Sequence, residues 1–195
     1  FSQDNKQVLA LWAEILHVVP QSRLAIASVS SRYTMDYFIS NLEKVGIAHN
    51  RFTFMARTPT FQDYLSSLNS IDIALDPFPY SGFTTTLDTL IMGVPVVTLA
   101  GDRSITRGGV SLLSNLGLTE LIAATPQDYV DIVRQLADDP ARLAALRSSL
   151  RDRVQSSPLM DGERFTRNLE ALYRQMWQTW CDTQHPNSAA SRLAG

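Results

Sequence analysis

The sequence predicts an α/β fold, a parallel sheet with helices on both faces, ending in a helical segment. Short aliphatic runs alternate with amphipathic stretches as far as residue 124. Such runs suit strands buried on both faces, and the alternation suits parallel strands joined by crossover helices. From Thr125 the strands stop and only helical periodicity continues.

The elements follow in order. Val8, Leu9, Leu11, Trp12, Ile15, Leu16 and Val18 share one helical face over residues 7–18, and Pro20 stops the pattern. Residues 23–29 (RLAIASV) read as the first strand. Residues 33–45 form a second amphipathic helix, with Gly46 where a helix commonly ends. Residues 51–56 (RFTFMA) are the second strand, 61–68 a short helix and 71–75 (IDIAL) the third strand. A helix over 85–92 is closed by Gly93, and 94–99 (VPVVTL) is the fourth strand. Residues 104–116 read as one helix ending at Gly117, before a short strand at 120–123. Helices then occupy 126–137, 140–155 and 162–180. The last carries Phe165, Leu169, Leu172, Tyr173, Met176, Trp177 and Trp180 on one stripe, the pattern of a core or an interface. The polar tail after Cys181 is expected to fray. No internal repeat is present.

Composition narrows the function. The chain has 195 residues, 45% of them apolar, enough for a full core. A net charge of −2 gives no basic surplus for nucleic acid. Lysine is confined to Lys6 and Lys44. The single cysteine, Cys181, excludes an internal disulfide and a cysteine-based metal cage, and fits a reducing compartment. No apolar run approaches the roughly 20 residues of a membrane helix, and no signal peptide opens the chain. A cytoplasmic protein without membrane contact is expected. Phe1 in place of methionine points to a piece of a longer protein.

In an open parallel sheet, ligands bind beyond the carboxyl ends of the strands. The segment DPFPYSGFTTTLD, residues 76–88, lies at such an end. Pro77 and Pro79 stop ladder pairing, so the chain turns there. Gly82 allows a positive φ or a ligand's close approach. Thr84 or Thr85 can cap the following helix, whose first N–H groups can face an anion. Asp88, one turn further on, can accept two bonds from a ribose diol. The same residues also suit a plain cap and a first-turn acid stabilised by the helix dipole. The residues alone leave both readings open.

Other polar residues read as structural. His17, His49 and His185 are scattered, Asp102 and Arg103 are loop charges, and Glu163, Arg164 and Arg167 form a solvated face. Ser111 in GGVSLL is not the elbow of a serine hydrolase.

The run from Asp76 to Thr98, with AGDRSITRGGVSLLSNLGLTELIA after it, resembles the catalytic region of the O-GlcNAc transferase and SPINDLY family. The likeness continues into SSPLMDGERFTRNLEALYRQMW and reaches back to FSQDNK, so it covers nearly the whole chain. It implies the C-terminal, Rossmann-like half of a GT-B glycosyltransferase that inverts the sugar's anomeric centre. Residues 1–124 would then be the nucleotide-sugar-binding core, 125–181 helices packing on it, and 182–195 a flexible tail. By the same resemblance Thr84 and Thr85 match threonines that bond the diphosphate, and Asp88 the acid on the ribose. Gln3 and Lys6 keep the family's glutamine and lysine, and Lys6 is the implied catalytic group, neutralising the departing diphosphate. Pro59 lies where a backbone group meets the base, Tyr64 where a ring lies beside it, and Arg107 matches a loop arginine. Gly82 and Phe83 complete the implied donor contacts.

Two departures stand out. Phe83 replaces the histidine of the animal enzymes, leaving only its backbone N–H for phosphate. The stretch between Lys6 and Trp12 is also shorter than the family's.

The resemblance implies transfer of GlcNAc from UDP-GlcNAc to protein serine or threonine. No metal or other cofactor is expected, because Lys6 and the helix supply the positive charge and no Asp-x-Asp pair is present. The acceptor, the general base and peptide-binding helical repeats would belong to a missing N-terminal half. Three alternatives stay open: a non-catalytic nucleotide-binding or scaffold module, a transferase using GDP-fucose, and one acting on a small molecule. Asp88, where the fucose branch carries glutamate, favours UDP-GlcNAc.

Overall fold

The computed structural model describes residues 4–27, 29 and 31–184. Its α-helices are α1 (Asp4–Val18), α2 (Arg32–Lys44), α3 (Phe61–Leu68), α4 (Thr84–Ile91), α5 (Gly108–Asn115), α6 (Pro126–Asp138), α7 (Pro140–Gln155) and α8 (Gly162–Gln184). The strands are β1 (Leu24–Ile26), β2 (Phe52–Phe54), β3 (Ala74–Leu75), β4 (Val96–Leu99) and β5 (Ile122–Ala123). The chain divides into two compact units, Phe1–Gln155 and Ser156–Gly195.

All strand pairs are parallel, in two hydrogen-bonded groups, β1–β2 and β3–β4–β5. Leu24 pairs with Phe52, Ala74 with Val96, and Thr98 with Ile122. Val96, Val97 and Thr98 are consecutive and all buried, so β4 is covered on both faces. Helices α5 and α6 supply that cover.

The strands are shorter than their apolar runs, for identifiable reasons. Arg147 of α7 donates to the carbonyls of Ile71 (2.6 Å) and Asp72 (3.2 Å), holding the start of the third run outside the ladder. Pro95 has no N–H to donate, and the N–H of Val94 bonds Thr89 at the end of α4, so β4 begins at Val96. Arg51 turns back to close α1, donating to Leu16 (2.8 Å), Val19 (3.2 Å) and Ser22 (2.8 Å) carbonyls. Its backbone forms a 3-10 turn, His49–Arg51, in place of the expected start of β2. The helix expected over 104–116 is two pieces, a 3-10 turn at Ser104–Thr106 and then α5. Gly46, Gly93 and Gly117 all follow helices with positive φ, as their positions predict.

Between α1, α2, β1 and β2 lies an apolar cluster of Leu9, Ala13, Leu16, Ile26, Phe38, Leu42, Ile47 and Phe52. Trp12 and Phe38 lie near-parallel at 6.5 Å. In the second unit, no residue of α8 is buried. The aromatic stripe expected to be core or interface is exposed along the helix, with Trp177 and Trp180 stacked at 5.1 Å. Among the described residues no helix is long and apolar enough to cross a membrane.

Candidate functional site

The carboxyl edge of β3 and β4 is where polar groups enter the interior. Asp76 follows β3 directly and is buried. Its Oδ1 accepts from the N–H of Gly82 (2.8 Å) and its Oδ2 from the hydroxyl of Thr98 (2.7 Å), while the Thr86 hydroxyl is a further partner. Tyr129 of α6, fully buried, donates its hydroxyl to the Asp76 carbonyl at 3.1 Å. Burial pushes the Asp76 carboxyl above its usual range, against the lowering effect of its hydrogen bonds. Burial, and then the Asp76 charge, likewise drives the Tyr129 phenol upward.

A second stitch joins this loop to the one after β4. Ser81 donates to the Ile105 carbonyl (3.1 Å) and accepts from the N–H of Gly108 (2.9 Å). The starts of α4 and α5 are thereby held side by side. Gly82 does not adopt a positive φ. Its missing side chain makes room instead for Thr86, whose Oγ1 a Cβ would meet at 2.6 Å. Gly109 is needed for the same reason: a Cβ there would strike Asp76 Oδ2 and Thr98 Oγ1.

The start of α4 corrects one expectation. Neither Thr84 nor Thr85 is the cap. That position belongs to Phe83, whose side chain makes no cap bond. The first backbone bond of the helix runs from Leu87 N to Phe83 O at 3.0 Å. The N–H groups of Thr84, Thr85 and Thr86 therefore have no acceptor within the helix. Thr84 and Thr85 are exposed beside them, and Thr86 is turned inward. The Phe83 ring is also exposed and leans over Gly108.

The face continues along α4 to Asp88, which accepts a hydrogen bond from the Tyr64 hydroxyl of α3. Partial burial, and then the charge of Asp88 and this bond, hold the Tyr64 phenol above its usual value. Tyr64 lies 5.9 Å from the ring of Phe61, ahead of which Pro59 is exposed. Thr60 fixes the start of α3, its hydroxyl oxygen accepting from Asp63 N at 3.1 Å.

Thr84, Thr85 and Asp88 thus fall on α4, Gly82 and Phe83 in the turn that leads into it, and Tyr64 on the adjacent α3. Arg107 stands next to Gly108, exposed, with its guanidinium donating to the Gly101 carbonyl at 2.9 Å. Lys6 is exposed in the first turn of α1, outside the hydrogen-bonded cluster. Gln3 lies outside the described residues. Asp76, Ser81 and Thr98 had no place in the expected site. Their signal was present: Thr98 is the one polar residue in an aliphatic strand, and a glycine pair opens α5. Among the described residues, no group of three or more histidine, cysteine, aspartate or glutamate side chains is placed to hold a metal.

This is the architecture of one Rossmann-like half of a GT-B glycosyltransferase. Over 91% of this chain and 34% of the other, it matches a mutant of the Thermobaculum terrenum O-GlcNAc transferase with a TM-score of 0.83 and 41% identity. Sucrose-phosphate synthase from Thermosynechococcus elongatus shares the fold alone, with a TM-score of 0.59 at 20% identity, over 89% of this chain and 42% of its own. The profile of glycosyl transferase family 41 matches residues 3–169, and the chain belongs to that family. Among curated relatives, the probable UDP-N-acetylglucosamine–peptide N-acetylglucosaminyltransferase SPINDLY of Solanum lycopersicum is 42% identical over 93% of this chain. The UDP-N-acetylglucosamine–peptide N-acetylglucosaminyltransferase of Caenorhabditis elegans is 29% identical over 90% of it. The chain spans 20% of the tomato protein's length and 15% of the worm protein's.

Proposed function

We propose that this chain is the donor-binding half of an inverting glycosyltransferase that moves GlcNAc from UDP-GlcNAc to serine or threonine of proteins. One observation carries the reading. Thr84 and Thr85 sit exposed beside N–H groups that have no helical acceptor, one turn from Asp88. A diphosphate suits the first group and a ribose diol the second.

The mechanism follows from charge. Sugar transfer leaves a diphosphate with growing negative charge. N–H groups fixed in a helix stabilise that charge more in the transition state than in the ground state, with no reorganisation at the moment of reaction. Lys6 would add a cation from α1, and the reading needs no metal. Pro59 and Tyr64 would bound the base, and Arg107 would stand at the rim. The acceptor and general base would come from a half not present in this chain. Helical repeats of about 34 residues in the full-length gene would support a protein acceptor.

A second reading, a nucleotide-binding module without catalysis, draws support from Phe83, which removes the animal enzymes' histidine from the phosphate face.

Calorimetric titration with UDP, GDP and their sugars tests the proposal. Weak binding of a nucleoside diphosphate, without sugar transfer by the isolated chain, is expected. Silence for both nucleotides at millimolar concentration sinks the reading. Preference for GDP-fucose over UDP-GlcNAc would move the donor to the fucose branch.

A further inference from the structure

Asp76 lies beneath the proposed site and, of the groups assigned to the donor, bonds only the N–H of Gly82. Only 3% of it is exposed. A carboxylate that deep ordinarily has a cationic partner, yet no ion pair among the described residues involves it. Its partners are all neutral and come from different elements. Gly82 N–H and the Thr86 hydroxyl bracket the start of α4, Thr98 belongs to β4, and Tyr129 of α6 holds the Asp76 carbonyl. Gly109, in the first turn of α5, packs so closely that a side chain there would displace the carboxylate.

A purely structural link could be apolar, since replacing buried polar pairs by apolar groups of the same shape is often neutral. A carboxylate does something an apolar group cannot: its two oxygens fix separate donors at set distances. Here one oxygen holds the backbone just before Thr84 and the other holds β4. We propose that Asp76 is a positioning residue, whose two oxygens set the start of α4 against β4 and so aim the N–H groups of Thr84–Thr86 at the anion. The identity of that anion as a nucleoside diphosphate rests on the donor reading above; the hold on α4 does not.

Amide hydrogen exchange and titration with UDP and UMP test the role in Asp76→Ala, Asp76→Asn and Thr98→Val. Asp76→Ala should speed exchange about tenfold or more at Gly82, which loses its acceptor, and at Leu87, whose N–H closes the first turn of α4 on Phe83, and should lower UDP affinity about tenfold. UMP, lacking the second phosphate, should lose less than UDP. Asp76→Asn keeps an acceptor for Gly82 and should restore most of the loss, which a role in bulk stability would not. Thr98→Val keeps the volume, removes one partner and decides the matter if Asp76→Ala does not fold. Unchanged exchange at Gly82 and Leu87 in the folded variants, or equal losses for UDP and UMP, overturns the proposal. A wild-type chain binding neither UDP nor GDP would instead sink the donor reading, and the exchange result would still decide whether Asp76 positions α4.

Discussion

The two groups of parallel strands both bury apolar side chains, but only one adds a buried polar network. Around β1 and β2 the interior is apolar, with Leu9, Leu16, Phe38, Leu42 and Phe52 in one cluster. Around β3 and β4 an apolar interior that includes Leu90, Val94, Val97 and Leu112 also encloses the Asp76 carboxylate, the hydroxyls of Ser81, Thr86 and Thr98 and the Tyr129 phenol, with two glycines beside the carboxylate. Apolar burial is non-directional and tolerates small shifts. Buried hydrogen bonds are directional, costly when broken, and specify one arrangement. A scaffold needs only the first kind of interior. A surface that must aim several N–H groups at one ligand needs the second, and the exposed threonines stand on it.

The comparison breaks most visibly at Leu42, which is fully buried in the apolar group. Leu42→Ala is expected to cost about 2–5 kcal/mol of stability. Denaturant unfolding measures that cost, and titration of the folded variant should find its nucleotide affinity unchanged. A large fall in affinity would mean that the two groups are coupled. The converse variants are Thr85→Ala and Asp88→Ala. Each should weaken UDP binding about tenfold, one charge-assisted hydrogen bond's worth, while stability stays within about 0.5 kcal/mol. Unchanged affinity in both would return these residues to a structural role.

How far the sequence foretold these two regions differs for the same reason. The apolar group was legible, because its residues repeat at helical or strand spacing and the pattern depends on near neighbours. The helices α3, α6 and α7 lie within one residue of their expected ends. The polar group was legible only on its exposed side. Asp76 reads as the acid that ends a strand, because the partners that bury it, Thr98 and Tyr129, are 22 and 53 positions away. The cap of α4 was misplaced by one residue for a related reason. Threonine suits that position by preference, but the loop bonds of Asp76 and Ser81 end the turn earlier and leave Phe83 there. The shortened strands were invisible because the arginines that shorten them come from α7 and from the turn before β2.

A smaller effect sharpens the boundary between the regions. The Tyr64 hydroxyl occupies part of the Asp88 carboxylate, which the donor reading assigns to the ribose. Tyr64→Phe removes that competitor together with one half-exposed hydrogen bond. Stability should fall by less than about 1 kcal/mol, and UDP affinity should rise by up to about threefold. A drop in affinity would show instead that the phenol holds Asp88 in place for the nucleotide.

The last prediction concerns pH and reads the buried carboxylate directly. Burial raises Asp76 above the ordinary aspartate value of 3.8, and the chain loses that burial on unfolding. Between 3.8 and the raised folded value, the native state binds a proton that the unfolded state has released. The contribution of Asp76 to stability is therefore full below the ordinary value and is lost as pH rises through the folded one. Tyr129, the titratable group facing it from α6, is itself raised and stays neutral across this window, so it does not reverse the trend. Asp76→Asn has no such proton to bind. Its deficit relative to wild type should be largest in mild acid and shrink toward neutral pH, as measured by denaturant unfolding in a series of buffers. A deficit that grows with pH would mean that the hydrogen bonds from Gly82, Thr98 and Thr86 outweigh burial. The carboxylate would then be held as a stabilised anion, the first of two negative groups gathered at the start of α4.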